Sequence, residues 1–160
     1  MKKCFFVTPI GEKNSDIRKQ SDELLDQIQF CFSENKLEFE IIRADLEFHN
    51  QQNIERIHFC IKEADLILAD LSSNNPNVYY ELGYARALCK EVIQIRDSNT
   101  AKLPFDVSGY NTPTYDLSTA ESRKNFRILL KKTIENISFY TSTIHIGGGI
   151  TFEKVDPTDN

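Results

Sequence analysis

The sequence predicts an α/β fold, a doubly wound parallel sheet with helices on both faces. Three observations carry this reading. Short β-rich or apolar runs alternate with segments of helical spacing along residues 1–137, the pattern of successive βαβ units. The run at residues 64–69, ADLILA, is apolar enough to be a buried strand. A length of 160 residues suits one domain with a single sizeable core.

The elements follow in order. Residues 3–8 (KCFFVT) are β-rich and form the first strand. Residues 15–33 form a helix, with Ile17, Leu24, Leu25, Ile28 and Phe32 near helical spacing and Ser15 placed to cap it. Residues 39–43 (FEIIR) form the second strand, and residues 53–63 a helix with Ile54, Ile57 and Ile61 on one face. Residues 66–69 are the third strand. A helix over 76–89 follows, with Asn75 as its cap, Pro76 in the first position, and Val78, Leu82, Ala85 and Cys89 turned inward. Residues 92–95 are the fourth strand and residues 112–115 a weaker fifth. Residues 119–137 form a last helix carrying Phe126, Leu129, Leu130 and Ile134. Right-handed crossovers leave few topologies. A five-stranded, flavodoxin-like order 2-1-3-4-5 fits best, with a crevice where the order reverses between strands one and three. The tail, residues 138–160, reads as a hairpin around Gly147–Gly149 packed on the same domain, with a frayed end at 156–160. The triple glycine lacks the spacing of a phosphate-binding loop.

Composition narrows the function. Net charge is −5 without a basic cluster, which argues against nucleic acid as a partner. No apolar run approaches the roughly 18 residues of a membrane span. Lys2 and Lys3 before an apolar run imitate a secretion signal, but the run is short, holds Pro9 and stops at Gly11–Glu12. Cys4, Cys31, Cys60 and Cys89 form no Cys-x-x-Cys pair and are expected to be reduced, mostly buried thiols in the cytoplasm. His49, His58 and His145 match no zinc spacing, so no metal is expected.

The stretch DLSSNNPNVYYELGYARA (residues 70–87) holds most of the candidate chemistry. Ligands of open α/β sheets bind beyond the carboxyl ends of the strands. Asp70 ends the third strand there; its carboxyl either orients a sugar hydroxyl or donates a proton, or it caps the turn at 72–74. Glu81 falls in the second turn of the following helix with Asn77 at i−4 on the same face. It is either a carboxylate suited to an oxocarbenium-like transition state at an anomeric carbon or a solvated helix residue. Gly83 in a helix interior implies a close approach by a neighbour or ligand. Tyr79, Tyr80 and Tyr84 divide between core packing and stacking on a base or sugar. The loop after strand one, TPIGEKNSD, supplies Pro9, Ile10 and Gly11, and then Ser15 and Arg18 at a helix start, where phosphates bind well. A structural Arg18 would instead pair with Asp22 one turn on. Phe105, in KLPFD, reads as a lid on the rim.

These residues together resemble the nucleoside 2-deoxyribosyltransferase-like group and the TIR-like (Toll/interleukin-1 receptor-like) domains of bacteria. The resemblance covers about residues 1–136. It rests on FFVTPIGEKNSDIRKQSD, on ADLILADLSSNNPNVYYELGYARAL, and on LPFDVSGYNTPTYD. It implies cleavage of an N-glycosidic bond at C1′ of NAD or a related nucleotide. Glu81 would be nucleophile or oxocarbenium stabiliser, with Asp70 the second catalytic carboxyl. Asp70, Asn75, Asn77 and Tyr80 would lie about the sugar and base, and Pro9, Ile10, Gly11, Ser15 and Arg18 at the 5′ side. The segment NPNVY stands where the transferases carry an Asp and a small pair, which tilts the reading toward the TIR-like members, and with them a role in bacterial defence or nucleotide signalling. No cofactor is expected beyond the nucleotide substrate, and a homo-oligomer is expected. The alternatives are a nucleoside 2-deoxyribosyltransferase or deoxynucleotide N-hydrolase, and, in another class, a non-catalytic nucleotide-binding oligomerisation module.

Overall fold

The computed structural model describes residues 1–47, 54–137, 140–145 and 149–154, with residues 46–47 and the last two stretches described by backbone alone. Elements follow as β1 (Lys2–Val7), α1 (Asp16–Glu34), β2 (Phe39–Ile42), α2 (Ala44–Glu47), α3 (Ile54–Glu63) and β3 (Leu66–Asp70). A 3-10 turn (Ser72–Asn74) then leads to α4 (Pro76–Ala87), β4 (Glu91–Asp97), α5 (Phe105–Ser108), β5 (Thr114–Tyr115) and α6 (Ala120–Glu135). Strands β1–β5 form one sheet in the order β2-β1-β3-β4-β5, every pairing parallel. This is the expected topology.

Side-chain alternation along the central strands builds two cores. On one face Cys4, Phe6, Leu66 and Leu68 pack with Leu24, Leu25 and Ile28 of α1 and with Phe126, Leu130 and Ile134 of α6. On the other, Phe5, Val7, Ile67 and Ala69 pack with Ile57 and Ile61 of α3 and with Val78, Leu82 and Ala85 of α4. Both central strands are therefore covered on both sides, which explains their near-continuous apolar sequences.

Local chemistry fixes the helix ends that border the crevice. Ser15 caps α1 by accepting from the Arg18 N–H at 3.1 Å. The Asn75 side chain caps α4 by accepting from the N–H groups of Asn77 and Val78, and Pro76 opens that helix. At the other end, α1 and α4 both close with the N–H two residues past the cap bonded back into the last turn: Leu37 to Phe32 and Lys90 to Ala85. Lys36 and Cys89 occupy the left-handed positions of these closures.

Several expectations change. Cys89 is exposed rather than inward because it lies past the end of α4 in that closure. Ile17, Ile54 and Leu129 sit at the edges of their helical stripes and are exposed. Phe105, read as a lid, opens the short helix α5, is 90% exposed and does not line the cleft described below; Leu103, two residues earlier, is buried. Strand β6 (Tyr140–His145) pairs antiparallel with β7 (Gly149–Lys154) in a separate two-stranded sheet. Asn53, Gly147, Gly148 and residues 156–160 lie outside the described residues.

Gly83 does not mark a close approach: a Cβ there would meet nothing within 4 Å. Gly11 does, with φ +61°, and a Cβ there would stand 2.7 Å from Ser15 Oγ and 3.0 Å from Ile17 Cβ. Its neighbour is the start of α1. Two substitutions should therefore move stability in opposite directions in urea unfolding. Gly83→Ala should stabilise by roughly 0.5–1 kcal/mol, the helix-propensity difference. Gly11→Ala should destabilise by about 1–2 kcal/mol or more, from the left-handed backbone and the clash with α1. Equal effects of one sign would contradict this assignment.

Candidate active site

A cleft of about 530 Å3 opens at the carboxyl end of β1, within the usual size of small-molecule sites. Its floor is β1 and the loop Thr8, Pro9, Ile10, Gly11 and Glu12. One wall is Ala44 and Asp45 of α2 with Ile54 and Ile57 of α3; the other is Asn75, Asn77, Val78, Tyr80 and Glu81 at the start of α4. The cleft is thus where strands β2 and β3 flank β1 and their connections leave in different directions.

Glu81 is the chemically distinctive group. It is partly shielded from solvent and makes no hydrogen bond or ion pair to the described residues. Burial alone pushes its carboxyl from 4.5 up to about 7. A carboxylate withdrawn from water without a donor is costly to the fold, and such groups concentrate at functional sites. Asn77, one turn earlier, borders the same cleft. Tyr80 lines the mouth at 54% exposure, its hydroxyl 3.1 Å from His58 Nε2. Tyr84 lies under the His58 ring at 4.0 Å between centroids, and Tyr79 donates to Asn74 Oδ1 at 2.7 Å. These two brace α4, and Tyr80 alone of the three reaches the cleft.

Asp70 has the opposite surroundings, and it does not line this cleft. It is 2% exposed and accepts from the Ser72 N–H at 3.1 Å, the Ser72 hydroxyl at 2.5 Å, the Tyr115 hydroxyl at 3.2 Å and the Thr8 hydroxyl at 3.2 Å. Burial raises its carboxyl to about 6, against the lowering effect of Ser72, Tyr115 and Thr8. Ser72 Oγ also accepts from the Asp97 N–H at 2.8 Å, and Tyr115 Oη accepts from Gln20 at 2.9 Å. The carboxylate therefore ties together the ends of β1, β3, β4 and β5. These bonds show the turn-capping role that the sequence allowed for Asp70, extended to the whole sheet edge.

Of the residues expected at the 5′ side, Pro9, Ile10 and Gly11 line the cleft, while Ser15 and Arg18 bond elsewhere. Ser15 is occupied as the cap of α1. Arg18 bonds Asp22 Oδ1 at 3.1 Å and Asp45 Oδ2 at 2.6 Å. Beside it Arg43, only 2% exposed, bonds Asp22 at 2.5 Å, Asp45 at 2.6 Å and Ser21 at 3.1 Å. Burial would raise the Asp22 carboxyl, but the hydrogen bond and charge of Arg43, then those of Arg18, hold it below its ordinary value. Donation runs one way through this group: Arg43 to Ser21, Ser21 to Thr8 at 3.2 Å, and Thr8 to Asp70. Neither Ser15 nor Arg18 lines the cleft, whereas Pro9, Ile10, Gly11, Asn75, Asn77, Tyr80 and Glu81 do. Sequence reasoning did not single out Arg43 or Asp45. Among the described residues no cluster of His, Cys, Asp and Glu is arranged to hold a metal, and no helix is long and apolar enough to cross a membrane.

This architecture, a five-stranded doubly wound sheet, is similar to that of solved structures. The CMP N-glycosidase BcmB of Clostridium botulinum superposes at a TM-score of 0.55, with 17% identity, over 82% of this chain and 99% of that one. A 2-deoxyribosyltransferase from Leishmania mexicana superposes at 0.52, also with 17% identity, over 80% of this chain and 98% of that one. At these identities the likeness is one of fold. No protein-family model and no curated protein sequence matches the chain.

The contrast between the two carboxyls gives a stability test. Glu81 holds its proton more tightly folded than unfolded, so its contribution is favourable below about pH 4.5 and is lost as pH rises through about 7. In thermal unfolding, Glu81→Gln should match wild type near pH 5 and exceed it above pH 7. The gain should be a few kcal/mol at most, at about 1.4 kcal/mol per pKa unit. Asp70→Ala should lose roughly 3 kcal/mol or more at any pH, since it strands buried donors. A wild type that gains on Glu81→Gln as pH rises would contradict the assignment.

Proposed function

We propose that this chain cleaves the N-glycosidic bond of a nucleoside or nucleotide, with Glu81 as the nucleophile. The observation that supports this most is the lone, desolvated Glu81 carboxyl on a small-molecule cleft. The shared fold adds support, because the two superposed proteins are named as an N-glycosidase and a deoxyribosyltransferase.

In the proposed reaction one Glu81 oxygen attacks C1′ as the C1′–N bond breaks. The bonding electrons leave with the base, which takes a proton from solvent. The transition state is oxocarbenium-like, and the ionised carboxylate stabilises its positive charge before closing the glycosyl ester. Water then opens the ester to give the free sugar, or a second base opens it to give a new nucleoside. Asn77 lies one turn from Glu81 on the same wall, placed to hold a sugar hydroxyl, and Tyr80 offers a ring at the mouth for the base. Asp70 takes no part, since its oxygens are committed to the sheet edge.

The test is base release, followed by chromatography, from a panel of ribonucleosides, deoxynucleosides, their monophosphates and NAD⁺. Glu81→Gln should lower turnover about a hundredfold or more. Wild-type turnover should rise with pH through about 7, as the Glu81 carboxyl ionises. A Gln variant within a few-fold of wild type would remove Glu81 from the reaction. Adding a second free base separates transfer from hydrolysis.

A further inference from the structure

We propose that the cleft admits a nucleoside without a 5′-phosphate and that Asp45 and Glu12 are the residues that exclude the phosphorylated form. This rests on the reading above that the cleft takes a nucleoside-type substrate. The groups that line it include the carboxyls of Glu12, Asp45 and Glu81 and, among the described residues, no Lys, Arg or His. The nearby arginines do not change this balance. Arg18 and Arg43 are each bonded to both Asp22 and Asp45, so two positive charges meet two negative ones. Asp45, the member of that group on the cleft wall, is held in place by both guanidiniums.

The second source of phosphate binding in this kind of fold, a helix N-terminus with unsatisfied N–H groups, is filled at α4, the helix that carries Glu81. The Asn75 side chain takes the first-turn N–H groups of α4, and the Ser15 hydroxyl takes one in α1. A phosphate dianion in the cleft would meet Glu12 and Glu81 with no cation among the described lining residues, while Asp45 offsets the positive charge that Arg18 and Arg43 would otherwise present beside it. Like charge at an enclosed site is a strong device for rejecting a ligand. A neutral sugar keeps its 5′-hydroxyl, which can donate to a carboxylate.

Matched deoxynucleosides and their 5′-monophosphates decide this, by steady-state base release and by calorimetric binding to Glu81→Gln, in which the reaction is blocked. The nucleoside should be preferred by about tenfold or more in kcat/KM and in Kd. The preference should shrink as salt is raised. Asp45→Asn leaves net positive charge from Arg18 and Arg43 beside the cleft and should narrow the gap by improving the monophosphate. Glu12→Gln, on an exposed loop where folding is not at risk, should act in the same direction. Monophosphates bound or cleaved as well as nucleosides, or two substitutions that leave the ratio unchanged, would overturn the proposal. Nucleoside-selective binding without base release would sink the proposed reaction and leave the selectivity standing. Binding of neither would overturn both.

Discussion

The buried Asp70 carboxylate is the tie on which the functional end of the sheet depends. Parallel strands end in connections that leave in different directions, and nothing in the ladder itself fixes how those ends sit. Here one carboxylate collects hydroxyls from β1 and β5 and both donors of Ser72, and Ser72 in turn receives the β4 backbone. The short turn after β3 is thereby pinned. Asn75 and Pro76 then start α4 at a fixed point and angle. Removal of such a hub strands several buried donors together, and that makes its loss costly.

Glu81 inherits its position from that start. It lies on the second turn of α4, on the wall of the cleft, while Leu82 and Ala85 bury the same helix against the sheet. The fold therefore carries two carboxyls with opposite surroundings: buried Asp70 satisfied by four donors, half-buried Glu81 by none among the described residues. The satisfied one builds structure. The unsatisfied one is the group we propose acts on a developing positive charge. A second electrostatic device stands across the cleft, where the Arg18, Arg43, Asp22 and Asp45 group closes on itself and keeps cationic charge off the wall.

Much of this was legible in the sequence because it is local. Alternating periodicity fixed the element order, and right-handed crossover fixed the sheet order. Ser15, Asn75, Pro76 and Thr119 mark helix starts by side-chain chemistry within a few residues, and each does so in the structure. The i−4 relation placed Asn77 and Glu81 on one face. What escaped depended on distant partners. Arg43 reads as the polar end of a strand, and only the tertiary approach of α1 shows it buried against Ser21 and Asp22. For Arg18 the pairing with Asp22 one turn on was legible as the alternative to a phosphate contact, and only its bond to the distant Asp45 was not. Asp70 was ambiguous for the same reason: its donors come from positions 8, 72 and 115. Gly83 misled because glycine in a helix signals crowding only when something is there to crowd it.

The proposed chemistry requires Glu81 to be an unpaired, desolvated carboxyl in the folded protein. Carbon-13 NMR of labelled glutamate carboxyls, with Glu81 assigned by its disappearance in Glu81→Gln, measures this directly. A titration midpoint near 7 agrees with the account. A midpoint near the ordinary glutamate value of about 4.3 would show that solvent or a donor reaches the carboxylate, and would contradict it.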